Sequence, residues 1–161
     1  MPRHARQLIL GAAFALLAAL PACSTKDVLS QDEIGYVPNV ESRLAEVDWN
    51  KAETVNIKLT EWRYEPARLK FQRGKPYRLH VENTGIEPHD FSSKTFFQAI
   101  ATAKLVGPGG TMDKPHLVTI GVDDGQSKDL YFVPVRAGTY AFECEEPLHA
   151  TFGMRGTAEI D

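Results

Sequence analysis

From Thr54 onward, apolar residues fall at every second position in short runs, and each run stops at a cluster of turn residues. Val55, Ile57 and Leu59 form the first run, Leu69 and Phe71 the second, and Tyr77, Leu79 and Val81 the third, with Arg73-Gly74-Lys75-Pro76 turning between the last two. A fourth run reads in either parity, as Leu117, Thr119 and Gly121 or as Val118, Ile120 and Val122, before Asp123-Asp124-Gly125. Leu130 to Val133 follows, then a turn at Ala137-Gly138, then Tyr140 and Phe142 leading into Cys144, and last Thr157 to Ile160. Successive side chains of a strand point to opposite faces, so a period of two marks a strand with one dry face and one wet face. About seven such strands in roughly 110 residues hide their dry faces by stacking two sheets, which predicts an all-β sandwich.

One stretch breaks this rhythm. Between residues 92 and 116, Phe96, Phe97, Ile100 and Ala101 recur at helical spacing behind Ser93, a residue type that caps helix N-termini. The pattern predicts a helix over Lys94 to Leu105 and then a loop at Gly107-Pro108-Gly109-Gly110, together a short helical insertion on the edge of the sandwich.

The first 22 residues do not belong to this domain. Arg3, His4 and Arg6 precede an uncharged apolar run from Leu8 to Leu20, which reads as an export signal and is shorter than the about 20 residues a membrane span needs. Leu20-Pro21-Ala22-Cys23 resembles the lipobox of bacterial lipoproteins, whose chain is cut before the cysteine and whose cysteine is then lipidated. Pro21 departs from that pattern, and ordinary signal cleavage after Ala22 is the alternative. The resemblance implies a lipid anchor at Cys23 on a bacterial membrane facing the periplasm, and Ser24 after it suggests the outer membrane. Each buried methylene of an acyl chain contributes about 0.8 kcal/mol, so several chains hold a protein at a membrane surface without a span. Residues 23–50 are polar, lack a sustained period and read as a tether, with room for a short helix around Glu41 to Val47. The folded domain is then 51–161. Losing residues 1–22 removes Arg3 and Arg6 and no acid, which takes the formal charge from −3 to −5 and argues against nucleic acid as a partner.

Two cysteines in an exported chain ordinarily invite a disulfide. With Cys23 lipidated, Cys144 has no such partner, and a lone thiol in an oxidising compartment is open to oxidation unless it is buried or bound to metal. Its neighbours point to metal. Cys144, His149 and Met154 stand five apart on one loop between two strands, and His89 lies about 55 residues upstream. Two imidazoles and a thiolate with a weak thioether form the ligand set of a blue-copper electron-transfer site.

Tyr140-Ala141-Phe142-Glu143-Cys144, with His149, Gly153-Met154 and Gly156, resembles the C-terminal copper loop of the cupredoxins, and Asn83-Thr84-Gly85-Ile86-Glu87-Pro88-His89-Asp90-Phe91 is similar to the segment that supplies their first histidine. Gly74-Lys75-Pro76 and Gly138 extend the likeness to about residues 54–161. The resemblance implies a Greek-key β-sandwich and one copper ion, cycling between Cu(I) and Cu(II), held by His89, Cys144, His149 and Met154. It also implies that Asn83 and Asp90 support the ligands from behind. Asp90 stands where Asn is commonest in the family, and an ionised Asp90 would favour Cu(II) and lower the potential. Glu145-Glu146 beside the thiolate is a second departure, placing negative charge where some members have an apolar patch.

Singly, each of these residues has an ordinary reading: Cys144 as a small buried hydrophobe, Met154 as core, His149 as surface. A cupredoxin fold without metal is the corresponding reading of the whole. His80 alternates out of phase with Leu79 and Val81 and should face solvent. Met112 and His116 in the insertion read as unrelated loop residues, a second copper-loading site being the alternative. Trp62 reads as sandwich packing and Phe152 as cover over the site, with Leu148 and Phe152 as an optional docking surface around His149.

The function implied is single-electron transfer by a monomer, without catalysis of its own, between redox partners such as an exported cytochrome or a copper enzyme. Copper delivery or homeostasis is the alternative, since thiolate and thioether suit Cu(I). The lack of a Met- or His-rich run weighs against it. A multicopper enzyme needs more histidines than His80, His89, His116 and His149 provide.

Overall fold

The computed structural model describes residues 35–161, so the export signal, the lipobox with Cys23 and the first part of the expected tether lie outside the described residues. The strands are β1 (Glu53–Thr60), β2 (Arg63–Glu65), β3 (Arg68–Phe71), β4 (Tyr77–Asn83), β5 (His89–Ser92), β6 (Ile100–Gly107), β7 (Gly110–Asp113), β8 (Thr119–Val122), β9 (Ser127–Pro134), β10 (Gly138–Glu143) and β11 (Arg155–Ile160). Two short α-helices accompany them, α1 (Val40–Leu44) before β1 and α2 (Lys94–Phe97) between β5 and β6, with a 3-10 turn at Trp49–Lys51. One sheet has six strands in the order β2-β1-β4-β9-β6-β7, and the other has five in the order β3-β11-β10-β5-β8. The β1/β4 and β3/β11 pairs are parallel and the rest antiparallel.

The alternating pattern sets which way each strand faces. In β4, Tyr77, Leu79, Val81 and Asn83 turn inward while Arg78, His80 and Glu82 turn outward. The register Ile57↔Val81 and Leu79↔Leu130 lines up inward positions of β1, β4 and β9. The ambiguous fourth run resolves toward Ile120 and Val122, which are buried; Val118, ahead of the strand, is exposed, although Leu117 is also buried. Between the sheets, Phe71, Phe91, Phe96, Phe97, Phe132 and Phe142 are fully buried. Phe91 and Phe142 approach to 4.5 Å between ring centroids. Aromatic pairs at such spacing add about 0.5–1.5 kcal/mol beyond the area they bury.

The helix expected over Lys94 to Leu105 is cut short. Ser93 caps it as expected, its hydroxyl accepting from the Phe96 N–H, but the helix ends at Phe97. From Ile100 the chain is strand β6, paired to β9 on one side and β7 on the other, so most of the supposed insertion is sheet. β6 opens with three consecutive buried residues, Ile100, Ala101 and Thr102, so it shows no alternation there and its first two residues fall four after Phe96 and Phe97, mimicking a helical face; the register shift between Thr102 and Lys104 comes after them. His80 faces outward as expected and is half-buried, with its Nδ1 2.8 Å from Asp129 Oδ1, which also accepts from Arg78 Nε.

Residues 35–50, the described part of the expected tether, lie along the sandwich. Val37 is buried, the Tyr36 hydroxyl donates to the Leu117 carbonyl, and Arg136 Nη1 donates to the carbonyls of Gly35 and Gln98. Glu41 of α1 pairs with Lys114, which holds its carboxyl below the usual range. Arg136 precedes the start of β10, whereas Cys144 follows its end, so Gly35 meets the sandwich at the end away from Cys144. Among the described residues, no helix is long and apolar enough to cross a membrane.

Candidate metal centre

Two segments bring the donors together. On β5 the inward positions are His89 and Phe91, and pairing with β8 (His89↔Val122, Phe91↔Ile120) fixes the strand's height in the sheet. On β10 the inward position is Phe142, and the same alternation carries Cys144 inward one step past the strand's end. The cross-strand pair Glu143↔Ser92 holds the two segments beside each other.

From Cys144 the chain makes a compact loop and returns to β11. The His149 N–H donates to the Glu146 carbonyl, Phe152 N–H to Leu148, and Gly153 N–H to Ala150. Met154 closes the loop: its N–H donates to the His149 carbonyl and its own carbonyl accepts from the Cys144 N–H. Gly153 has φ 108°, a conformation that glycine adopts without the usual side-chain clash. Met154 and Cys144 are buried, and His149 is partly exposed.

The result is a small cluster. Cys144 Sγ lies 3.4 Å from His149 Nδ1 and 4.0 Å from His89 Nδ1, and the two Nδ1 atoms are 3.1 Å apart. Among the described residues this is the only group of His, Cys, Asp and Glu placed to share a metal ion. With bonds of about 2.0–2.3 Å, as for a first-row divalent ion, three donors at the corners of a triangle stand about 3.5–3.8 Å apart. The observed spacings bracket that range, and the donor set suits one copper ion.

Burial pushes the Cys144 thiol up, an effect opposed by the Asp90 and Glu146 backbone N–H groups, and the Asp90 N–H stands 3.3 Å from the sulfur. Burial likewise pushes His89 down, with the neighbouring His149 adding to the effect, so its imidazole is held in the neutral form a metal requires.

The two residues expected behind the ligands occupy different roles. Asp90 is beside the cluster: its carboxylate receives a backbone hydrogen bond from Glu145, and burial followed by the charge of Glu146 raises its pKa. Asn83 does not touch the donors. Fully buried, it donates through Nδ2 to the Glu87 and Val122 carbonyls and accepts the Gly85 N–H, so it shapes the 83–89 turn that carries His89.

Three further residues surround the cluster. Tyr64, on β2, donates its hydroxyl to the Asp90 carbonyl at 2.5 Å and stacks edge-on against Phe142; burial raises its pKa, which keeps the phenol a donor. Trp62, expected inside the sandwich, instead lies at the rim. It is 43% exposed, at φ 68°, with its ring edge-on to His149 (5.0 Å) and Phe152 (4.8 Å). The β1–β2 turn is too short to carry it back into the core. Next to it, Glu61 Oε1 is 3.9 Å from His89 Nε2. Nothing in the local sequence marks Glu61, Trp62 or Tyr64, because their meeting with the histidines depends on how β1 and β2 pack beside β5.

Phe152 and Leu148, each 62% exposed, flank His149 with Trp62. Met112 sits on β7, whose residues are all exposed, and the His116 ring lies tilted against Tyr36 at 4.7 Å; neither joins the cluster.

No family profile and no curated protein sequence matches the chain. Solved structures do. Auracyanin B superposes with a TM-score of 0.50 at 18% identity, covering 71% of this chain and 93% of its own. The copper nitrite reductase of Nitrosomonas europaea gives 0.51 at 12% identity over 73% of this chain, and a multicopper oxidase of Campylobacter jejuni gives 0.51 at 16% over 71%. This chain spans 51% of that reductase and 31% of that oxidase. At such identities the likeness is one of fold. Two stacked sheets in this order, with His89, Cys144, His149 and Met154 at one end of them, give the chain the cupredoxin fold with its His-Cys-His-Met cluster at the expected site.

Proposed function

We propose that His89, Cys144, His149 and Met154 hold one copper ion as a type 1 centre, and that the protein carries single electrons between redox partners. The observation that carries this reading is the convergence of Cys144 Sγ with two Nδ1 atoms inside 4.8 Å. Bound there, copper supplies a one-electron couple, Cu(II) favouring the nitrogen donors and Cu(I) the sulfur donors. The protein's part is to hold mixed donors in one arrangement for both states. β5 fixes His89, the loop hydrogen bonds fix His149 and Met154, and the Asp90 and Glu146 N–H groups steady the thiolate.

His149, partly exposed, is the route by which an electron enters and leaves, and Trp62, Leu148 and Phe152 form the face a redox partner meets. The chain acts without catalysis of its own. Cys23, lipidated, anchors it to a bacterial membrane facing the periplasm, so its partners are exported redox proteins such as cytochromes or copper enzymes. With a mature formal charge of −5, docking to a basic partner is weak and sensitive to salt.

Adding Cu(II) to the purified protein tests the centre. An intense visible band from thiolate to copper is expected, and it disappears in Cys144→Ser. A colourless protein with only weak metal-centred absorption would end the type 1 assignment.

A further inference from the structure

The turn between β1 and β2 sets two neighbouring side chains against the two histidines, Trp62 at His149 and Glu61 at His89. Trp62 belongs to the exposed rim. Glu61 faces a buried problem: His89 is fully buried, and among the described residues its Nε2 has no hydrogen-bond partner. A buried donor left without a partner loses its hydration and gains nothing in return. Metal-bound histidines ordinarily give the second ring N–H to a carboxylate or a carbonyl, which fixes the ring and its tautomer.

We propose that Glu61 is a positioning residue for His89, its carboxylate accepting the Nε2 proton so that the bare Nδ1 is aimed at Cys144 and a negative charge sits behind the ring. Two observations support it. Glu61 Oε1 is held in place by the Ile86 N–H at 2.5 Å and the carboxylate by the Glu87 backbone, so the group is aimed and not loose in solvent. Position 85 is glycine, and a methyl there would overlap Glu61 Oε1 and come within 2.9 Å of His89 Nε2. Glycine leaves the corridor between the two groups open. The 3.9 Å separation exceeds a direct hydrogen bond, and a movement of about 1 Å by the partly exposed Glu61 carboxylate closes it.

The redox part of this inference rests on the copper reading; the tautomer part does not. The test therefore has two arms on the full chain. In the metal-free protein, long-range 1H–15N NMR reads the His89 tautomer directly. The wild type should show a protonated Nε2 and bare Nδ1, and so should Glu61→Gln, whose amide oxygen still accepts. Glu61→Ala should give a mixture, and so should Gly85→Ala, which leaves every charge in place and blocks the corridor. In the copper-loaded protein, Glu61→Gln should move the electron-exchange equilibrium with a one-electron mediator roughly three- to tenfold toward Cu(I), the upper value equal to about 59 mV. Glu87→Gln removes the same charge from an exposed neighbour and should shift it less, with the tautomer unchanged.

A wild-type His89 protonated on Nδ1, or Glu61→Ala and Gly85→Ala with an unmixed wild-type tautomer, overturns the proposal. So does a Glu87→Gln shift as large as that of Glu61→Gln. A wild-type chain that forms no coloured centre with Cu(II) sinks the electron-transfer reading instead, and the NMR arm still decides the role of Glu61.

Discussion

His89 and His149 reach the same point from two kinds of backbone. His89 stands on a strand, paired to β8, fully buried, with Phe91 below it and Tyr64 gripping the next carbonyl. His149 stands on a loop held by its own turns, partly exposed, with Trp62 at its edge. The sheet gives one histidine a position that the whole core enforces, and the loop gives the other access to solvent. A centre that must be rigid and yet reachable needs both, and a loop of eleven residues from Cys144 to Met154 confines the compromise to one side.

The largest effect should come from removing the two rings. His89→Gly and His149→Gly should each abolish the visible band, and imidazole added to solution should restore it in His149→Gly only, because solvent reaches that side. Equal restoration in both would break the contrast between a buried and an accessible ligand.

Stability should divide the same way. Phe91→Ala, beneath His89, should destabilise the metal-free protein by about 3–5 kcal/mol in denaturant unfolding, the usual cost of a large cavity. Phe152→Ala, beside His149, should stay within about 0.5 kcal/mol while slowing exchange with a redox partner. A Phe152 variant as unstable as the Phe91 variant would show that the loop, too, depends on the core.

The smallest change concerns the bridge between the two sides. Asp90 follows His89 in sequence and receives a hydrogen bond from Glu145 on the loop. Asp90→Asn keeps the acceptor and removes the charge, so the reduction potential measured by titration should rise. An unchanged or lower potential contradicts a role for that charge.

The sequence carried the sandwich and the donors well where structure follows from local pattern. The alternation of Tyr77, Leu79 and Val81 faces inward as expected, and Ser93 caps a helix. Local pattern misleads where tertiary context overrides it. The consecutive buried residues Ile100 to Thr102 disguise the start of β6 as a helix, and β5 is four residues with three polar side chains, too short to show a period. Trp62 looks like core because it is large and apolar, and only the tight turn on which it sits puts it outside. Glu61 and Gly85 have no signature at all: they matter through a corridor between two turns distant in sequence. The cupredoxin likeness implies that Asn83 supports the ligands from behind, and it does so one step removed, through the turn leading to His89.

Arg136 holds the carbonyls of Gly35 and Gln98 where β10 begins, and Cys144 follows where β10 ends. Force applied through the chain ahead of Gly35 is therefore received at one end of the sandwich and spreads through the strands over roughly 20 Å, six residues at about 3.3 Å each, before it reaches the donors. The domain can be pulled, swung or jostled by whatever precedes it while the histidines, the thiol and the thioether keep their spacing.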